Sequence, residues 1–205
     1  FFFFKQKTAY EIVDCDWSSD VCSSDLKLMF TKLENSFEKP LFAVIDQLKD
    51  FKGSDGKGID YKKIWTPEPK KIYGILPEKY WKDFHLTVMT INCKIPPHTD
   101  TEIITSINFY LQTEGCRTIF YKPKVEKPRT VQVENQTNGH IYFEEDLEEV
   151  DSFVAKDFEV WALDVTQIHS VQGEFKLRKA ITLGTFVHKY KDVIEMLKET
   201  GNVIR

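Results

Sequence analysis

Two side chains that commonly bind metals, His98 and Asp100, stand two positions apart in the segment Lys-Ile-Pro-Pro-His-Thr-Asp, residues 94–100. In an extended strand, residues i and i+2 point to the same face, so the imidazole and the carboxylate converge on one point. A loop turn with an Asx-type hydrogen bond has a similar composition and needs no metal. The pair alone therefore leaves both a metal site and a structural turn open.

A second histidine and an arginine favour the metal site. His169 comes 69 residues after Asp100, behind the apolar segment 160–165, and Arg178 comes nine residues after His169. Two histidines and one carboxylate with open coordination positions form the facial triad that selects Fe(II) for oxygen chemistry. An arginine inside the same barrel needs an anion, and a carboxylate can pair with it through two hydrogen bonds. The spacing indicates an iron site beside an anion site.

Residues 169–182 read His-Ser-Val-Gln-Gly-Glu-Phe-Lys-Leu-Arg-Lys-Ala-Ile-Thr. This segment resembles the Fe(II)- and 2-oxoglutarate-dependent dioxygenases, and among them the prolyl-hydroxylase-like and aspartyl/asparaginyl-hydroxylase-like branch. Members of the family commonly have His-x-Val, an arginine nine residues later, and then Ala-Ile-Thr. The similarity covers residues 94–186, and its parts occur in the order that the family shows.

The resemblance implies roles for particular residues. Arg178 would bind the distal carboxylate of 2-oxoglutarate. The hydroxyl groups of Thr182, four residues along the same strand, and of Tyr110 would add hydrogen bonds to that carboxylate. Fe(II), 2-oxoglutarate and O₂ would be the cofactor and cosubstrates, and a use of ascorbate stays open. The catalytic iron ligands would be His98, Asp100 and His169.

One stretch departs from the prolyl hydroxylases. In those enzymes the strand before the first iron ligand often carries another tyrosine that binds the cosubstrate. Here residues 86–92 read Leu-Thr-Val-Met-Thr-Ile-Asn and contain no tyrosine. Thr90 and Asn92 are the candidates to replace it, so the assignment to prolyl hydroxylases in particular stays open.

The activity that the resemblance implies is hydroxylation of a substrate C–H bond, with release of succinate and CO₂. A peptidyl prolyl, aspartyl or asparaginyl side chain is the favoured substrate, while a free amino acid and a modified nucleobase are alternatives. Two other classes also stay open: a non-catalytic double-stranded β-helix that only binds, and a cupin-type metalloenzyme that does not use 2-oxoglutarate. The complete ligand set argues against the first class, and Arg178 with Thr182 argues against the second.

The elements that must position these residues are mainly strands. A helical turn is predicted at 77–84, and amphipathic helices are predicted at 40–51 and at 189–200, where Gly201 ends the second. The acidic run 144–151 is predicted as a solvated loop, and Asn138-Gly139 as a hairpin turn. We expect a mainly β protein, a double-stranded β-helix (jelly roll, cupin-like) with flanking N-terminal and C-terminal helices. The segments rich in β-branched and aromatic residues are 85–95, 103–112, 118–121, 130–134, 141–144, 159–165, 167–172 and 177–187.

Composition narrows the classes of partner. The chain has 205 residues, 41% of them hydrophobic, with 28 basic and 32 acidic side chains. This is enough for one sizeable core, and the balanced charge gives no strong nucleic-acid signal. No apolar run reaches the roughly 18 to 20 residues of a membrane-spanning helix. We expect a substrate peptide or small molecule as the partner and no membrane association, and nothing indicates the oligomeric state.

Residues 1–26 have no period typical of a helix, a strand or a signal peptide. Back-translation of 5–12 and 16–26 gives DNA strings that resemble a common sequencing-library adapter; a disordered N-terminal tail is the alternative. We therefore expect a single domain at 27–205, with its barrel core at about 84–187. Met29 is either the native start or follows a missing N-terminus, so no targeting signal can be read. The remaining Cys93 and Cys116 favour a reducing compartment such as the cytoplasm.

Overall fold

The computed structural model describes residues 29–34, 59–63, 69–100, 102–132, 140–173 and 177–203. Three of the sequence-based expectations lie outside these residues: the adapter-like segment 1–26, the helix at 40–51 and the Asn138-Gly139 turn. In the part of the chain that is described, no helix has the length and apolarity that crossing a membrane requires.

Twelve described strands form two six-stranded sheets, in which every neighbouring pair is antiparallel. The order is β1-β10-β5-β12-β3-β2 in sheet A and β7-β8-β4-β11-β6-β9 in sheet B. The protein is therefore a double-stranded β-helix, or jelly roll, as the sequence predicts. The strands are β1 Phe30–Lys32, β2 Ile59–Lys63, β3 Phe84–Ile91, β4 Ile95–Thr99, β5 Thr105–Gln112, β6 Arg117–Pro123, β7 Thr130–Gln132, β8 His140–Tyr142, β9 Leu147–Val154, β10 Val160–Asp164, β11 Ile168–Gln172 and β12 Arg178–Thr185.

The alternation of side chains along β12 separates two apolar clusters. Ile181 and Leu183 face outwards and belong to a cluster that includes buried residues of helices α1 (Pro69–Tyr73) and α2 (Tyr190–Glu199). Ala180 faces the other way, into a cluster that joins residues of both sheets, such as Tyr110 and Phe120. Side chains of β12 that share the face of Ala180 therefore point between the sheets. Arg178 and Thr182 are two of them.

Both predicted helical segments near the barrel are confirmed. A 3₁₀ helix spans Glu78–Asp83, and α2 occupies the predicted C-terminal position. The helix α2 packs its apolar side against sheet A, and the chain leaves it through Gly201, whose φ of 76° is the left-handed conformation that glycine adopts without strain.

Three strands go beyond the sequence prediction. β1 and β2 form the two edges of sheet A, and each has at most five residues, too few for a visible period. The loop expected at 144–151 is wrong, because only Glu144–Asp146 is a short 3₁₀ turn and the rest belongs to edge strand β9. The acidic side chains of β9 are solvated, as predicted: Glu148 is exposed and pairs with Lys122. On an edge strand, exposed charges cover much of the surface and hide the apolar alternation.

Leu183 tests whether the outer cluster carries the fold. Its side chain is fully buried, and Leu183→Ala should lower the free energy of unfolding by about 2–5 kcal/mol, because truncation leaves a cavity. Val187, two residues beyond β12 and 65% exposed, is the matched control, and Val187→Ala should change it by less than about 0.5 kcal/mol. Urea unfolding followed by far-UV circular dichroism measures both. Equal effects would contradict this assignment of the core.

Candidate metal and anion site

The two histidines of the predicted metal site lie directly opposite each other. His98 on β4 and His169 on β11 are cross-strand partners, and their ring centroids are 4.3 Å apart. Asp100 follows β4, and its Oδ1 lies 3.6 Å from His98 Nε2. One donor atom from each of the three residues lies within 4.8 Å of the other two. The structure thus brings together the three side chains that the spacing singled out.

Backbone carbonyl groups fix the protonation of both imidazoles. His98 Nδ1 lies 2.9 Å from the carbonyl oxygen of Pro96, and His169 Nδ1 lies 2.9 Å from that of Gln167. A carbonyl oxygen only accepts hydrogen bonds, so Nδ1 carries the proton in each ring and donates it. Nε2 is then the nitrogen with the free lone pair. Metal-binding histidines are oriented by bonds of this kind.

Burial makes the charged state of this cluster unfavourable without a counter-charge. The pKa of His169 is lowered to about 3, first by desolvation and then by the nearby His98, so the ring is neutral at pH 7. The pKa of the Asp100 carboxyl is raised by burial, and the charge of His98 offsets part of this. A divalent cation would remove the cost of the buried carboxylate and would find neutral imidazoles.

The cluster has one packed side and one open side. Phe120, fully buried, is the β6 partner of His169, and the two rings stack with centroids 5.8 Å apart. His98 and Asp100 keep 13% and 24% of their side chains exposed. A ligand can therefore approach from the side of His98 and Asp100, while Phe120 fixes the ring of His169 from the other side.

Arg178 is buried between the sheets with part of its guanidinium unpaired. Only 2% of the residue is exposed, and Nη2 donates a hydrogen bond of 3.1 Å to Thr118 Oγ1 on β6. Its Cζ lies 4.5 Å from the centroid of the Tyr110 ring, a cation–π contact. Nε and Nη1 are buried without a hydrogen-bond partner among the residues that the structure describes. These two N–H groups are oriented to receive an anion.

A row of hydroxyl groups continues from this arginine along the inner face of sheet A. Thr182 Oγ1 donates to Asn108 Oδ1 at 3.0 Å, and Ser106 Oγ donates to the same oxygen at 2.8 Å. Asn108 Nδ2 donates to the hydroxyl oxygen of Tyr110 at 3.4 Å. The structure thus places Thr182 and Tyr110 next to Arg178, and both contact Asn108.

Tyr61 is a site residue that the sequence analysis missed. It lies on edge strand β2 opposite Met89 of β3, a member of the inner cluster. Its ring is 36% exposed, yet its hydroxyl is buried, and the pKa of the phenol is raised, first by desolvation and next by the charge of Asp100. Arg178 acts on the same hydroxyl with the opposite sign. The Tyr61 hydroxyl therefore lies within electrostatic range of both the metal cluster and the buried cation.

The two residues suggested as replacements for the missing tyrosine have other positions. Thr90 lies between Met89 and Ile91, which both belong to the inner cluster, so its side chain is on the opposite face of β3. Asn92 follows the end of β3 and is half-buried. No sequence signal connects β2 with β3, because only the register of that pair places Tyr61 at the site.

Comparisons with known proteins are few and distant. No protein-family model matches the sequence, and no curated protein matches it. One solved structure that aligns with this chain is SnoN, a non-heme α-ketoglutarate-dependent epimerase from nogalamycin biosynthesis, in complex with Fe³⁺, α-ketoglutarate and nogalamycin RO. It has 10% identity and a TM-score of 0.48 over 80% of this chain and 84% of SnoN.

Two further structural neighbours have the cupin type of barrel or belong to the vicilins. A cupin-like protein of Thermotoga maritima has 13% identity and a TM-score of 0.34 over 68% of this chain and 83% of its own. A vicilin of Solanum melongena has 10% identity and a TM-score of 0.37 over 67% of this chain. The alignment spans about a third (31%) of the vicilin chain. What the site can do chemically follows from its own residues.

The metal cluster makes a prediction that needs no substrate. His169→Ala should abolish stoichiometric binding of Fe(II), since two remaining ligands hold a divalent ion far more weakly than three. The fold should survive, because the inner and outer apolar clusters are unchanged. Metal content after anaerobic loading and gel filtration measures the first effect, and circular dichroism the second. His85→Ala, at an exposed histidine of β3, is the control and should keep one iron per chain. Stoichiometric iron in His169→Ala would contradict the ligand assignment.

Proposed function

We propose that the protein is an Fe(II)- and 2-oxoglutarate-dependent dioxygenase that hydroxylates a C–H bond of its substrate, with a peptidyl side chain as the favoured target. The observation that carries this proposal is the buried Arg178. Its unpaired Nε and Nη1 lie on the same inner face as a cluster of two histidines and a carboxylate. A metal cluster alone would support any cupin-type metalloenzyme. A buried cation beside it supports a cosubstrate that carries an anion.

The residues fit an Fe(II) ion. His98 and His169 would bind it through Nε2, and Asp100 through a carboxylate oxygen. This set of nitrogen and oxygen ligands leaves coordination positions open, as the facial triads of iron oxygenases do. The open side of the cluster is the side on which His98 and Asp100 are partly exposed.

The residues also fit a dicarboxylate cosubstrate. Arg178 would hold the distal carboxylate, since its two unpaired N–H groups can form charge-assisted hydrogen bonds with carboxylate oxygens. The Tyr110 ring supports the guanidinium from one face at 4.5 Å, and the Thr118 hydroxyl holds Nη2. Anion binding would thus satisfy polar groups that are costly to leave buried and unpaired.

The bound iron and cosubstrate would supply the oxidation, in which 2-oxoglutarate, O₂ and a substrate C–H bond are converted to succinate, CO₂ and a C–OH group. The protein would contribute orientation. The carbonyl groups of Pro96 and Gln167 hold both imidazoles with Nε2 towards the iron. Phe120 excludes water behind His169, and the open side beside Asp100 leaves room for the substrate.

Arg178→Met tests the cosubstrate site while keeping most of the side-chain volume. Loss of a buried charged partner costs on the order of 3–5 kcal/mol, so binding of 2-oxoglutarate should weaken by roughly two to three orders of magnitude. Arg178→Lys should recover only part of this, because an ammonium group cannot bind a carboxylate through a planar pair of N–H groups. Titration of 2-oxoglutarate into the anaerobic Fe(II) protein, followed by the metal-to-ligand charge-transfer band, measures the affinity.

The surface arginine Arg117, which pairs with Glu149, is the matched control, and Arg117→Met should leave the affinity unchanged. Iron content should stay at one per chain in all three variants. Stoichiometric iron without any binding of 2-oxoglutarate in the unmodified protein would instead favour a cupin-type metalloenzyme. Unchanged affinity in Arg178→Met would reject Arg178 as the anchor.

A further inference from the structure

The side-chain amide of Asn108 lies among three hydroxyl groups beside the buried arginine. Asn108 is 5% exposed, and its contacts are Ser106 at 2.8 Å, Thr182 at 3.0 Å and Tyr110 at 3.4 Å. All four side chains belong to the inner face of sheet A, on the adjacent strands β5 and β12. Such a row is short enough for every proton in it to be assigned.

The distances assign the two ends of the amide. Contacts of 2.8 and 3.0 Å are usual for a hydroxyl that donates to an oxygen, whereas 3.4 Å suits a long N–H donation. Oδ1 therefore accepts from Ser106 and from Thr182, and Nδ2 donates to Tyr110. An amide oxygen has two lone pairs, so both are used.

This arrangement determines which proton a ligand can receive. The hydroxyl protons of Ser106 and Thr182 both point at Asn108, and neither is directed towards Arg178. The Tyr110 oxygen accepts from Asn108, so its own proton remains for a ligand. The Tyr110 ring lies against the guanidinium of Arg178, at 4.5 Å. An anion bound by Arg178 would therefore meet the Tyr110 proton first.

The opposite arrangement follows from a half-turn of the amide. Nδ2 would then donate to the oxygens of Ser106 and Thr182, and Oδ1 would accept the proton of Tyr110. In that case the Thr182 proton would be the one left for a ligand, and Tyr110 could offer none. The orientation of one amide thus selects between two donors to the same anion.

We propose that Asn108 is a positioning residue of the anion site, which orders the hydroxyl protons so that Tyr110, and not Thr182, donates to the carboxylate held by Arg178. This inference rests on the proposed function, because it concerns the same carboxylate. It revises the role that the family resemblance implies for Thr182, whose hydroxyl serves to hold the amide.

Two nearly isosteric substitutions test the donor. Tyr110→Phe keeps the ring against the guanidinium, and Thr182→Val keeps the side-chain volume. Binding of 2-oxoglutarate to the protein loaded with Mn(II) in place of Fe(II) is measured by calorimetry, so no turnover is needed. Tyr110→Phe should weaken binding by roughly ten- to a hundredfold, since it removes a hydrogen bond to a charged group, and Thr182→Val by less than about threefold. Equal losses, or a greater loss in Thr182→Val, would overturn the proposal.

Asn108→Leu tests the positioning role. Without the amide, both hydroxyl groups are released, so the effects of Tyr110→Phe and Thr182→Val should become equal within about threefold in this background. A ranking that survives in Asn108→Leu would overturn the role of Asn108. Ser106→Ala is the matched control: it removes one bond to Asn108 away from Arg178 and should leave the affinity and the ranking unchanged.

The outcomes separate this inference from the proposed function. If Arg178→Met leaves 2-oxoglutarate binding unchanged, the cosubstrate site itself is wrong, and the inference fails with it. If Arg178→Met abolishes binding while Tyr110→Phe and Thr182→Val are equal, only the inference fails. Should Asn108→Leu not fold, the two single variants still decide which hydroxyl donates.

Discussion

A guanidinium that cannot lose its proton is buried between two β-sheets, and much of the site follows from that constraint. Burying an unpaired charge costs several kcal/mol, and Arg178 cannot escape this cost by deprotonation. The face of Tyr110 and the hydroxyl of Thr118 supply part of the compensation. The remainder is left to an anion, because Nε and Nη1 have no partner in the described part of the chain. A structural arginine would be paired within the protein.

The jelly roll brings this cation and the metal cluster together from different sheets. Sheet B carries His98 and His169 on neighbouring strands, while sheet A carries Arg178 on β12. The hydrogen bond from Arg178 to Thr118 crosses from sheet A to sheet B, so the two halves of the site are fixed relative to each other. A ligand with a metal-binding end and a carboxylate at the other end would fit this division. The raised pKa of Asp100 and the lowered pKa of His169 show the same logic, since both groups are adapted to a cation that offsets burial.

Residue spacing predicts those parts of the site that alternate along a single strand. His98 and Asp100 are two apart, Arg178 and Thr182 are four apart, and strand geometry alone puts each pair on one face. Tyr61 could not be found in this way, because its position depends on the register of β2 against β3. Edge strand β9 was hidden for a different reason: its acidic side chains are solvated and mask the apolar alternation. Long-range pairing and edge position are properties of the fold, which a local pattern does not contain.

Spacing also says nothing about the direction of a hydrogen bond. Thr182 has the position that the family resemblance assigns to a residue that binds a carboxylate, yet in the structure its proton is given to Asn108. The oxygen of a buried amide is costly to leave without donors, and Asn108 satisfies it with two neighbouring hydroxyl groups. Once those protons are committed, the only hydroxyl of this row that can donate towards the guanidinium is that of Tyr110. The role of a hydroxyl in the site is therefore decided by the next residue in the network, and by the orientation of one amide.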